Sequence, residues 1–230
     1  MPLSASVDGL QRRIGYRFTD VALLQRALTH RSVGGSNNER LEFLGDALLN
    51  FVVAAALYEV RGRAEEGALS RLRASLVREE SLARLARELE LSEVLSLGES
   101  ELKSGGFRRD SILADALEAI LGAVYLDGGF EAARDVCLHL YAPLLADLPD
   151  AETLKDPKTR LQEWLQARAR PLPRYEVLSE NGPPHRRVFE VRCSLVDDAI
   201  LAEATGASRR NAEQQAADSL LQKLSGSSHA

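Results

Sequence analysis

Cysteine is nearly absent from this 230-residue chain: Cys137 and Cys193 are far apart and show no metal-ligand spacing. That excludes a disulfide scaffold and a thiolate metal site. Two core thiols in a reduced cytoplasmic protein are the expectation. Long apolar runs are missing as well. The longest, Phe51 to Tyr58, falls far short of the ~18 residues that a membrane-spanning helix needs. The stretch from Met1 to Gln11 has no apolar segment of the signal-peptide kind, so no membrane partner or leader is expected. There is no excess of positive charge either. The chain carries 29 basic and 34 acidic residues, a net charge of −5. Its distribution is uneven: residues 1–150 hold 17 basic and 23 acidic residues, whereas residues 151–230 hold 12 and 11. A chain that is 45% hydrophobic and 27% charged has ample material for a core, which rules out wholesale disorder.

Helical periodicity fills the first 150 residues. Amphipathic segments run over 21–29, 38–58, 69–91, 111–126 and 131–148, with glycines at 62, 67, 105–106 and 128–129 marking the breaks. The polar, proline-bounded stretch 149–157 then reads as a domain boundary. Beyond it come a helix over 158–168, strands over 174–179, 187–195 and 199–205, and a helix over 208–224. In the second strand Phe189, Val191, Cys193 and Leu195 share one face, which puts Cys193 in the core. The alanines of the last helix suit close packing on a sheet. The fold class expected is therefore multidomain: an all-α domain over 1–148, a linker over 149–156, and a small α+β domain of order α-β-β-β-α over 157–226.

Two patterns carry chemistry. In the run from Asn38 to Asp46 (NERLEFLGD), Asn38 is placed to cap a helix, and Glu39, Glu42 and Asp46 share a face. Their neighbours are apolar nearly all round, so Glu42 and Asp46 are expected to be poorly solvated. A second helix repeats the device with Asp115 and Glu118 among Ala, Leu and Ile, without a basic residue to pair with. Crowded, poorly solvated carboxylates raise one another's pKa until something neutralises them. Arginines from elsewhere would serve, and so would a divalent cation. Four carboxylates with neither imidazole nor thiolate suit Mg2+ or Mn2+ rather than zinc. The loop Lys103–Arg109 (KSGGFRR) offers cations ahead of a helix start, either to a phosphate or simply to solvent. His30 has no partner recognisable by spacing, and a structural role is expected.

The second domain presents polar Thr159, Gln162, Glu163 and Gln166 opposite buried-type leucines. It adds a stiff Gly182-Pro183-Pro184-His185 tip and the pair Arg209–Arg210 at a helix start. Such a surface suits either bulk water or the minor grooves and phosphates of an A-form duplex.

Taken in order, these residues resemble bacterial ribonuclease III. The similarity rests on NERLEFLGD, Glu66-Gly67 with Leu69-Ser70-Arg71, the run from Leu102 to Arg109, Asp115 with Glu118, and a second domain similar to the double-stranded-RNA-binding domain of that family. It spans about residues 8–225. The resemblance implies a Mg2+-dependent endonuclease that cuts double-stranded RNA, with Mn2+ as a substitute ion, leaving 5′-phosphate and 3′-hydroxyl ends. It implies metal-binding roles for Glu42, Asp46, Asp115 and Glu118, with Asp46 and Glu118 catalytically critical. Glu39 and Glu66 match accessory acids lining the processing site. Phe43 matches an aromatic that packs into a partner subunit, so a homodimer is implied. Thr159, Gln162, Glu163, Gln166, His185, Arg209 and Arg210 match RNA-contacting positions. One position departs: a basic residue usually follows the arginine pair, and here it is Asn211. Two rival readings remain at this point, a duplex-RNA-binding protein with an inactive nuclease fold and a metal-dependent hydrolase of another phosphate ester.

Overall fold

Helix follows helix through the first unit because each pattern of apolar residues at 3.6-residue spacing needs another to bury it. The structure, a computed structural model, describes residues 3–183 and 186–226. The chain divides into two compact units, Met1–Ala151 and Glu152–Ala230, each described here by itself.

The first unit contains α1 (Leu3–Ile14), α2 (Val21–Ala27), α3 (Glu39–Val60), α4 (Glu66–Val77), α5 (Glu79–Glu88), α6 (Glu99–Lys103) and α7 (Asp110–Ala146). Asp20 caps α2 by accepting from the Ala22 N–H at 2.9 Å. The segment 69–91, expected as one helix, is two. Arg78 is extended (φ −69°, ψ 153°) between α4 and α5. The break is held by hydroxyls: Ser75 Oγ donates to the Leu72 carbonyl, and Ser81 Oγ reaches across to the Ser75 carbonyl, both at 2.8 Å. The Ser75 carbonyl, one of those left over at the end of α4, is thereby satisfied without a further turn. In α7 the break expected at Gly128–Gly129 is present, with Gly129 at φ 81°, a conformation open to glycine alone at little cost. Helices α1 and α6 were not expected from periodicity. Leu10 and Ile14 seat α1 with no exposed surface.

The core is the crossing of α3 and α7. Leu41, Leu48, Leu49, Val52 and Leu57 of α3 are buried with Leu113, Leu117, Ile120 and Leu121 of α7. Each such side chain contributes roughly 1.5–3 kcal/mol relative to exposure. By length and composition alone α3 could cross a bilayer, with a mean hydropathy of 1.6 over its best window. Its inner face is nonetheless the centre of a helical bundle.

The second unit runs α8 (Pro157–Gln166), β1 (Arg174–Asn181), β2 (Val188–Ser194), β3 (Leu201–Gly206) and α9 (Arg209–Gly226). The sheet is antiparallel in the order β1-β2-β3, with Arg174 opposite Ser194 and Phe189 opposite Gly206. Asp156 caps α8 through the Lys158 N–H at 2.9 Å, and Pro157 supplies the pre-set first turn. Cys193 lies in the core with Leu161, Leu165, Ala216, Ala217 and Leu220. This is the α-β-β-β-α order expected.

Candidate active site

The close approach of α3 and α7 is written in two glycines. A Cβ built on Gly45 would stand 2.6 Å from the carbonyl carbon of Glu118 and nearer still to its oxygen. One built on Gly122 would stand 3.1 Å from the carbonyl carbon of Leu41 and again nearer to the oxygen. Backbone therefore meets backbone, and side chains one turn away are forced together. Glu42, Asp115 and Glu118, all half-buried, bring carboxylate oxygens within 4.8 Å of one another. Burial, reinforced by Asp46, Asp115 and Glu42, pushes Glu118 up to about 8. Burial also raises Glu42, with Asp115 and Glu39 adding to it. Burial raises Asp115 too, against an opposing pull from His30. Three carboxylates that resist ionisation together are a donor set for a divalent cation, whose charge removes the conflict.

Not every expected acid joins them. Asp46 is exposed rather than shielded, and its carboxylate accepts from Asn50 Nδ2 at 2.8 Å. It acts on the cluster through its charge on Glu118. Glu39 is exposed, bonded by Asn37 Nδ2 at 3.2 Å and 3.7 Å from Arg31. Glu66 is exposed at the start of α4, accepts from Ser70 Oγ at 2.7 Å, and lines a different hollow with Leu57, Tyr58 and Arg73. The expectation that a helix this apolar is mostly buried is corrected. Phe43 is 80% exposed, and Phe51 and Tyr58 are also in solvent. Composition cannot separate a face that meets a core from one left open. The cap is corrected too. Asn38 is helical (φ −84°, ψ −15°) and makes no side-chain cap bond, while its neighbour Asn37 accepts from the Glu39 N–H at 3.1 Å.

Beside the carboxylates lies a cavity of about 330 Å³ lined by His30, Arg31, Asn38, Glu42, Arg109 and Asp115, among others. Nothing in the spacing of Asn38 or Arg31 shows that they face a site. His30 has the structural contact expected: its Nδ1 lies 2.8 Å from Ser32 Oγ and accepts from the Ser32 N–H at 3.2 Å. Arg109, from the basic loop, is held by Glu101 at 3.2 Å.

In the second unit Thr159, Gln162, Glu163 and Gln166 are exposed along α8, with Glu163 held by Lys155 at 2.7 Å. Arg209 and Arg210 are exposed at the start of α9, where Ser208 Oγ accepts from the Asn211 N–H at 3.1 Å. His185 lies outside the described residues. Glu213, 9% exposed, accepts from Lys158 at 2.6 Å and from Arg209 at 2.9 Å. Burial alone would raise its pKa, but these two cations hold it below the usual range.

Comparison with known proteins decides the family. A family model described as Ribonuclease-III-like matches residues 20–145, and the Double-stranded RNA binding motif matches residues 157–224. The chain belongs to the ribonuclease III family. It is 58% identical to Ribonuclease 3 of Alkalilimnicola ehrlichii over 94% of this chain and 95% of that one. It is 52% identical to Ribonuclease 3 of Haemophilus influenzae over 95% and 97%. A solved structure of the ribonuclease III nuclease domain from Campylobacter jejuni superposes with a TM-score of 0.58 at 45% identity, covering 60% of this chain and 96% of that one. Its description concerns a region involved in dimer formation. As a ribonuclease III this chain is a double-stranded-RNA endoribonuclease: a helical nuclease domain followed by an RNA-binding domain, with an acidic cluster that fits a divalent metal.

Proposed function

We propose that the nuclease domain, 1–148, cuts both strands of an RNA duplex held by the domain at 157–226, with 149–156 as linker. The observation that carries this is the convergence of Glu42, Asp115 and Glu118 at the glycine-closed crossing. Glu42, Asp46, Asp115 and Glu118 hold Mg2+, for which Mn2+ substitutes. When bound, the ion lowers the pKa of a water, orients the phosphate and stabilises charge on the leaving oxygen. The carboxylates keep the ion in place, and their shared negative charge is what makes it necessary. Asp46 and Glu118 stand nearest to the chemistry. Glu39 and Glu66 are accessory acids along the RNA path. The products carry 5′-phosphate and 3′-hydroxyl ends.

The exposed apolar face of α3, with Phe43 at its edge, packs against a second copy, so that two sites on a two-fold axis cut opposite strands and leave a short 3′ overhang. Thr159, Gln162, Glu163, Gln166, His185, Arg209 and Arg210 contact the duplex along its grooves and phosphates. Precursor ribosomal RNA and other structured transcripts are the substrates in the cytoplasm.

The test is cleavage of a long, end-labelled RNA duplex with Mg2+, beside EDTA, Ca2+ and Asp46→Asn controls. Metal-dependent cutting of both strands that is lost in the variant supports the proposal. Tight duplex binding without cutting under any metal replaces it with a binding module whose carboxylates are structural.

A further inference from the structure

The side chain of Asn38 is 2% exposed, and among the described residues its Nδ2 has no hydrogen-bond partner. Buried donors in this state are rare, because an unmade bond is costly. The backbone that carries this amide is fixed in place. The Asn38 N–H donates to the Thr29 carbonyl at 2.9 Å, and its own carbonyl accepts from Leu41 and Glu42, both at 2.9 Å. Asn37 caps the helix instead, and Asn38 stands beside it with its Nδ2 unspent. Asn38 is among the residues that line the cavity beside the carboxylates, with Nδ2 just beneath its surface.

The cavity's other polar groups show what it is suited to hold. Its cations are already engaged by neighbours: Arg31 lies 3.7 Å from Glu39 and Arg109 lies 3.2 Å from Glu101. Glu42 and Asp115 on the same wall are given to the metal above, so the cavity has little unspent charge to offer a second phosphate. A neutral hydroxyl fits both demands, since it accepts one bond and donates another. Resting on the nuclease reading above, we propose that this cavity takes the ribose of a nucleotide flanking the cut, with Asn38 Nδ2 donating to its 2′-hydroxyl. The hydroxyl proton then faces the carboxylates of the wall. The 2′-hydroxyl is the group that separates RNA from DNA, and a site left with an unpaired donor rejects the analogue that lacks it. The nuclease domain thus carries a check of its own for RNA, independent of the second domain.

The test uses the full chain and RNA duplexes with single 2′-fluoro substitutions at each nucleotide around the cut. Fluorine keeps the RNA sugar pucker but donates nothing and accepts poorly. The wild-type protein should lose about five- to tenfold in kcat/KM at one flanking position, the worth of one such bond. Asn38→Ala should lose a similar factor on the unmodified duplex and lose nothing more at that position. Penalties that simply add in the variant overturn the proposal, as does a wild-type scan in which no flanking position is penalised. That scan decides the matter even if Asn38→Ala fails to fold. If the unmodified duplex is not cut at all, the nuclease reading itself fails; if it is cut and the penalties add, only this inference does.

Discussion

Replacing Gly45 by alanine tests the link between helix packing and the metal site. The added methyl would sit 2.6 Å from the Glu118 carbonyl carbon, where carbon atoms ordinarily keep roughly 3.5–4.0 Å. Because the obstacle is backbone, no side chain can swing aside, and α3 and α7 must part by about 1 Å. Overpacking of this kind costs about 3 kcal/mol when the neighbour cannot yield. For a unit of this length that lowers the melting temperature by about 6–12 °C. The same displacement separates Glu42 from Glu118. A misplacement of ~1 Å in a catalytic constellation costs on the order of 100-fold in rate. Circular dichroism melting, Mn2+ titration calorimetry and duplex cleavage would be run side by side. Gly67→Ala is the control, because only the flexible guanidinium of Arg71 lies near, at 3.3 Å. It should be neutral or up to about 1 kcal/mol more stable. A Gly45→Ala protein that melts and cuts like wild type would refute the crossing as the source of the carboxylate geometry.

Three further outcomes are expected. Glu118 is raised to about 8, so the metal-free fold favours its protonated form, and the stability this brings is complete below the ordinary carboxylate range. It is lost as pH rises through about 8, so melting in EDTA should fall over that window, and Glu118→Gln should flatten the trend; an unchanged slope in the variant assigns it to other groups. Asn211→Lys should restore a phosphate contact and steepen the dependence of log Kd on log salt by somewhat under ~1 unit, read by filter binding; identical slopes would mean that position 211 does not reach the duplex. Phe43→Ala should move the protein toward monomer in sedimentation equilibrium, since a residue 80% exposed is carried at no cost to the protomer's own core; unchanged association would remove Phe43 from the contact.

Much of the fold could be read from periodicity, because α3, α7 and the second unit's strands repeat their apolar residues regularly. The turn at Arg78 could not, since neither glycine nor proline marks it and two serine hydroxyls make it. Asn38 and Asn37 are equally good caps by residue type; only the tertiary bond from Asn38 N–H to the Thr29 carbonyl shows why the cap falls to Asn37. The carboxylate cluster was foreseeable from acids spaced three apart on two apolar helices. What draws them together was not, because Gly45 and Gly122 acquire meaning only when one helix lies across the other. Asp46 was expected in shelter and stands in solvent for a related reason: an apolar neighbourhood in sequence does not reveal which side of a helix is covered.

The buried Glu213 has a mechanical consequence. Through Lys158 it grips the first turn of α8, and through Arg209 the first turn of α9. The two helices that carry the side chains proposed to meet a duplex are thus braced at the same end, like the jaws of a fixed-gauge caliper. A module braced in this way would meet the spacing of a groove as a frame rather than adapt to it. The ordering of that surface is completed when the domain folds, so little of it is left to oppose binding.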